Sequence, residues 1–188
     1  MPERPPKHKT CKRYNIPGDA HELTFSCFEK QPLLLQDRAR VCLAQSIAKA
    51  RVKHGFHLWA WLFMPDHIHL LIFPTSEEYS ISDILQSIKQ PVAKKEIDFA
   101  RKHDHERLMM MSSRDRNRPF KFWQEGGGYD RNMTPAKILR DAVEYIHNNP
   151  VRKGLVENAE DWKWSSYREW MNMGKGLLKV DRESFPMS

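Results

Sequence analysis

At 188 residues, 40% hydrophobic and 11% aromatic, the chain suits one globular domain with extensions and excludes a disordered one. No apolar run approaches the ~18 residues that a bilayer span needs, and the opening MPERPPKHKTCKRY has charge but no apolar core, so neither membrane insertion nor a signal peptide is expected. A net charge of +7 and a pI near 9.4 point to an anionic partner, nucleic acid first, and Cys11, Cys27 and Cys42, odd in number and without CxxC spacing, predict a reduced, cytoplasmic chain with no structural zinc.

Residues 1–18 read as a flexible basic arm, with Arg4, Lys7, Lys9, Lys12 and Arg13 against Glu3. The stretch 21–28, HELTFSCF, alternates as a first strand with Leu23, Phe25 and Cys27 on one face. Asp37 to His54 follows as a helix, with Asp37 as N-cap, Val41, Ala44, Ile47 and Ala48 on one stripe and Gly55 as the stop. HLWAWLFMPDHIHLLIF, residues 57–73, reads as two strands joined at Met64-Pro65-Asp66. A helix from Ser80 to Ala100 carries Ile81, Ile84, Leu85 and Ile88 at helical spacing, with Pro91 expected to kink or restart it. The charged run 101–118 predicts a mobile loop, Phe120 to Gln124 a short last strand, and Gly126-Gly127-Gly128 a loop.

A further helix starts at Thr134 as N-cap with Pro135 at its first position, buries Leu139, Ala142, Val143 and Ile146, and ends at Pro150. The segment DWKWSSYREW is expected to fold back on a domain spanning 19–170, leaving 171–188 as a loose tail. Strand, helix, strand, strand, helix, strand is the α+β, ferredoxin-like split βαβ order of an antiparallel sheet. The helix from Thr134 stands outside that repeat.

Side chains two apart on a strand share a face, so His67 and His69 project together while Ile68, Leu70 and Ile72 bury. The pair can offer two nitrogen ligands to a metal, or decorate a half-exposed strand. Tyr145 and Asn149, four apart, stack at the edge of the apolar stripe of their helix, with His147 opposite and assigned to the surface. If that edge meets the histidines, a metal held by His67, His69 and the Asn149 oxygen can polarise a phosphate for attack by the Tyr145 phenol, leaving a covalent phosphotyrosine. Taken singly, each of these residues is more commonly structural. Cys27 and Cys42 are assigned to the core, Asp141 and Glu144 to a solvated face, and Asp66 either to a role behind His67 or to the turn alone.

The combination MPDHIHLLIF, WQ with GGGYDRN, EYIHNNPVRKGLV and DWKWSSYR, in that order, resembles the REP-associated tyrosine transposases, single-strand DNA transposases of the HUH endonuclease superfamily. The resemblance runs from the first strand to Trp170. It implies a ferredoxin-like fold with an added catalytic helix, a divalent ion (magnesium or manganese) on the histidine pair, and nicking and rejoining of single-stranded DNA through a 5′-phosphotyrosine beside hairpin-forming repeats. By position, it implies Tyr145 as nucleophile and His67 and His69 as ligands, with Asn149 where related transposases place a third polar ligand. Arg114, Arg116, Arg118 and Lys121 are then expected to line a DNA groove, and Arg152 and Lys153 to lie near a phosphate at Tyr145. The Gly126–Gly128 run departs from the aromatic and acidic residues common there, which leaves open what that loop reads. A non-catalytic hairpin-binding relic and a water-using phosphodiesterase are the alternatives. Monomer and homodimer are both compatible with the sequence.

Overall fold

The computed structural model describes residues 14–186; Cys11 and most of the expected arm lie outside them. Strands β1 (Ala20–Ser26), β2 (Phe56–Phe63), β3 (His67–Pro74) and β4 (Tyr129–Met133) form one antiparallel sheet in the order β2-β3-β1-β4. Helices α1 (Asp37–His54) and α2 (Ile81–His103) cover one face, and α4 (Ala136–Arg152) covers the other. This is the expected split βαβ topology with its added helix.

Alternation in β1 and β3 sorts the two faces. Leu23, Phe25, Ile68, Leu70 and Ile72 bury against Leu43, Ile47, Ile84 and Ile88 of α1 and α2. On the opposite face Ala20, Leu62 and Leu71 bury against Leu139, Ala142, Val143 and Ile146 of α4. A β-bulge between Leu58 and Ala60 shifts the phase of β2, so both Trp59 and Ala60 join the α4 side. Burial on both faces is why FHLWAWLF is apolar apart from His57.

The helix ends differ in detail from expectation. Gln36, not Asp37, is the N-cap of α1, and Gly55 closes it in the left-handed region at φ 62. Pro91 does not restart α2, which runs continuously for 23 residues. A proline strips the carbonyl four residues back of its N–H partner; the buried Ser46 hydroxyl donates to Ser87 O (3.2 Å) and Ile88 O (2.9 Å) and satisfies it instead. Pro150 likewise fails to end α4, which continues to Arg152, and the Pro150 carbonyl accepts from Leu155 N at 2.9 Å.

The expected mobile loop from residue 101 is in part helical: α2 extends to His103, and α3 (His105–Met110) follows with Asp104 accepting from Arg107 N. Most charges of this run are exposed, but Arg107 is buried and paired. Glu96, fully buried, takes Arg38 at 2.7 Å and Arg107 at 3.1 Å, and Arg107 also donates to Leu33 O. Phe120 to Gln124 is not a strand of the sheet and forms only isolated bridges, such as Cys27 with Trp123. The fourth strand is the polar YDRNM, entered through Gly128, where a Cβ would stand 2.1 Å from Thr24 O.

The chain after Trp162 seals the outer edge of β2. Phe63 N donates to Trp164 O and Ser166 N to Trp61 O, both at 2.9 Å, and the Trp170 indole donates to Trp59 O at 2.8 Å. Residues beyond Met171 pack rather than trail loosely. Leu178, Val180 and Phe185 are buried, and Asp181 accepts from Leu58 N and pairs with Arg51.

Candidate active site

The turn that precedes β3 is pinned by backbone bonds: Cys27 N donates to Asp66 O at 2.7 Å, Leu34 N to Pro65 O at 2.9 Å and Met64 N to His67 O at 2.8 Å. Register then sets His67 beside Ser26 and His69 beside Thr24, all facing α4. The imidazoles meet edge to face with centroids 5.0 Å apart. Each is oriented through Nδ1, His67 by Asp66 Oδ1 at 2.6 Å and His69 by Thr24 Oγ1 at 2.9 Å, so Nε2 is the nitrogen each ring offers to a ligand. His69 Nε2 is buried and has no hydrogen-bond partner among the described residues. Burial, then the neighbouring His67 charge, lowers the His69 pKa to about 3, with Asp66 opposing, so the ring is neutral as a ligand must be.

Helix α4 lays Tyr145 across this pair, its ring 6.2 Å from that of His69 in an edge-to-face arrangement. Tyr145 is 43% exposed while Ile146 beside it is fully buried, which presents the phenol at the rim of the helix's buried stripe. Asn149 is buried one turn on, and its Nδ2 donates to Tyr145 O at 3.0 Å. That bond fixes the amide and leaves Oδ1 as its remaining polar atom. The Arg152 guanidinium lies 4.8 Å over the Tyr145 ring. A groove of about 510 Å³ joins these groups, lined by Ser26, Lys30, Asp66, His67, His69, Tyr145, Asn149 and Lys153.

The structure therefore brings together Tyr145, His67, His69, Asn149, Arg152 and Lys153. The other basic candidates lie elsewhere. Arg114, Arg116 and Arg118 are exposed, and Arg118 and Lys121 line a separate cavity beside α2 with Lys89 and Trp123. Lys121 is paired with Asp115 at 3.2 Å and Glu125 at 2.8 Å. His147, expected at the surface, is 3% exposed and bonds Ser166 Oγ at 2.8 Å between the rings of Tyr167 and Trp170; burial lowers its pKa to about 4. The helix is buried on its back as well, by the chain that folds over it. Asp141 and Glu144 are exposed, and Cys27 and Cys42 buried, as expected. Two site residues escaped the sequence: Thr24, legible only once β1 pairs with β3, and Lys30, held at φ 55 at the groove wall.

Among the described residues no three His, Cys, Asp or Glu side chains gather as a metal cluster. The donor set fits a divalent ion in another way, through two Nε2 atoms and one amide oxygen, with the orphaned buried Nε2 of His69 lacking any other partner.

Comparison with known proteins gives the family. Residues 22–149 match the family model described as Transposase IS200 like. The chain belongs to this transposase family. The matched span opens on β1, closes on Asn149, and holds the histidine pair and Tyr145. A REP-associated tyrosine transposase of Escherichia coli K12 is 24% identical over 170 residues, 90% of this chain and 88% of the relative. A relative from Haemophilus influenzae, named for the same transposase type, is 28% identical over 144 residues, 72% of this chain and 76% of its own. A solved REP-associated tyrosine transposase, bound to a REP hairpin, superposes with a TM-score of 0.67 over 92% of both chains at 20% identity, a likeness that establishes the fold.

Proposed function

We propose that this transposase nicks and rejoins single-stranded DNA beside hairpin-forming repeats, with Tyr145 as the nucleophile. The observation that carries the reading is the buried, unpartnered Nε2 of His69 against the exposed Tyr145 ring, at one end of a groove with lysines on its wall. An unsatisfied buried nitrogen costs about 1–3 kcal/mol, a cost that a bound ligand removes.

Tyr145 Oη attacks the phosphorus of a backbone phosphodiester, the bond to the 3′ oxygen breaks, and the 5′ side stays as phosphotyrosine. The departing 3′ oxygen takes up a proton. A 3′-hydroxyl from the same or another strand reverses the step without an external energy source. His67 and His69 through Nε2, and Asn149 through Oδ1, would hold a divalent ion, magnesium or manganese. Such an ion supplies Lewis-acid polarisation of the phosphoryl oxygens. Imidazole nitrogen favours manganese of the two. Asp66 and Thr24 keep the rings in register, Arg152 over the phenol ring holds it in place, and Lys30 and Lys153 hold the phosphate. Arg118 and Lys121 line the cavity beside α2 and, in this reading, meet the phosphates of the hairpin stem together with the exposed Arg114 and Arg116.

Incubation with a labelled single-stranded stem-loop oligonucleotide and manganese should yield an adduct that survives denaturation, and Tyr145→Phe should abolish it. The same adduct in the variant would refute the assignment. Hairpin binding without an adduct under any divalent ion would leave the non-catalytic reading in its place.

A further inference from the structure

The chain between β1 and α1 reverses at Phe28–Gln31, where Gln31 N donates to Phe28 O at 2.9 Å. Both central residues, Glu29 (φ 49, ψ 28) and Lys30 (φ 55), are left-handed. Two positive φ values at the centre are the pattern of a type I′ turn, which favours glycine, asparagine or aspartate because any longer side chain crowds its Cβ against the carbonyl oxygen. Among the described residues only Asn172 shares this conformation without being glycine. A glutamate and a lysine therefore stand where the backbone alone selects other residues. Glycine cannot do what the side chain at 30 does: Lys30 lines the groove with His67, Tyr145 and Lys153.

A residue far along the chain holds this turn. Phe122 to Gln124 runs antiparallel beside the end of β1: Gln124 N donates to Ser26 O and Phe28 N to Phe122 O, both at 2.9 Å, with Cys27 and Trp123 bridged between them. Trp123 fixes the segment, its indole donating to Lys89 O at 2.9 Å and its ring meeting that of Phe25 edge to face at 5.1 Å. From this base the Gln124 side chain reaches the turn, and Oε1 accepts from Glu29 N at 3.0 Å. Lys30 N and Gln31 N close within the turn, on Cys27 O at 3.1 Å and on Phe28 O, whereas Glu29 N is met by Gln124. Gln124 itself lines the cavity beside α2 and not the groove. We propose that Gln124 is a positioning residue for strand nicking: it holds the left-handed Glu29–Lys30 turn, and the turn holds the Lys30 ammonium at the phosphate. The proposal rests on the DNA-nicking reading above for the phosphate's place, and it makes a residue outside the groove part of what sets the rate.

The test measures the rate of adduct formation by the full chain at saturating stem-loop oligonucleotide with manganese, so that binding does not enter. Gln124→Met, of similar length but without the acceptor, and Lys30→Met should each slow it about tenfold. The two together should be no slower than Lys30→Met alone, because both remove the same contact. Gln124→Glu, which keeps an acceptor oxygen, should restore the rate, and so should Glu29→Gly added to Gln124→Met, since glycine takes the left-handed conformation unaided. Gln124 is exposed, so the melting temperature should stay near that of wild type; if Gln124→Met fails to fold, Gln124→Ser, too short to reach Glu29, takes its place. A wild-type rate in Gln124→Met, losses that multiply in the double variant, or no rescue by Glu29→Gly overturns the proposal; a purely structural Gln124 gives the last two. Amide exchange at Glu29, followed by NMR in the free protein, should speed up in Gln124→Met. A wild type that forms no adduct refutes the nicking reading, and there the exchange alone decides the hold on the turn: unchanged protection overturns it.

Discussion

The two faces of the sheet bury charge in different ways. Under α1 and α2, the fully buried carboxylate of Glu96 is held through Oε2 by Arg38 and Arg107, while its Oε1 has no hydrogen-bond partner among the described residues. Under α4, Glu22 and His69 are nearly as buried, and His69 Nε2 has no partner among the described residues. The histidines of α4 and β3 make the same contrast at close range. His147 closes its ring on Ser166 and stays inert, whereas His69 is oriented by Thr24 and left open at the other nitrogen. Buried polar atoms without partners among the described residues occur on both faces, and that of His69 borders the groove at Tyr145.

The sharpest way to break that comparison is Tyr145→Phe. Covalent DNA capture should fall by about 10³-fold or more, as loss of a nucleophile does, while the melting temperature moves little because the exposed hydroxyl supports no packing. Leu70→Ala on the closed face should do the opposite, costing about 2–5 kcal/mol in chemical denaturation, with residual activity tracking the folded fraction. Manganese should raise the melting temperature of wild type and not of His69→Ala.

A weaker effect is expected from pH. His69 and His147 have pKa values lowered to about 3 and about 4 by burial, whereas the unfolded chain protonates its histidines near 6.5. The unfolded state therefore binds more protons between about pH 6.5 and those values, and stability should fall as pH drops through that window, by about 1.4 kcal/mol per pH unit for each ring. His147→Gln, able to keep the Ser166 bond, should halve the slope above about pH 4. An unchanged slope would place the proton uptake elsewhere. Lys153→Ala should weaken DNA binding evenly across sequences and reduce the salt slope by about 1.

Periodicity made much of this legible in advance. The bounds of α1, the β2–β3 hairpin and the shared face of His67 and His69 follow from local spacing alone. The convergence of Tyr145 with the histidines does not, because an apolar stripe can pack on either side of a sheet; the resemblance to known transposases supplied that link. Strand β4 was illegible for a physical reason. YDRNM sits at the sheet edge with polar residues on both faces, so no hydrophobic alternation marks it, and the apolar Phe122 and Trp123 nearby bury without joining the sheet. Misplacing the strand also hid Glu22 and Arg131, whose pairing depends on it. His147 was missed because the chain from Trp162 onward covers the back of α4, a contact remote in sequence.

Peptide mapping of the DNA adduct tests the central claim most directly, since Tyr129 and Tyr145 both line the groove system and only one is assigned as nucleophile. After trypsin and nuclease digestion, the account predicts a nucleotide on the tyrosine of the peptide spanning residues 141–152. A nucleotide on the peptide that carries Tyr129, or on no tyrosine at all, would contradict it.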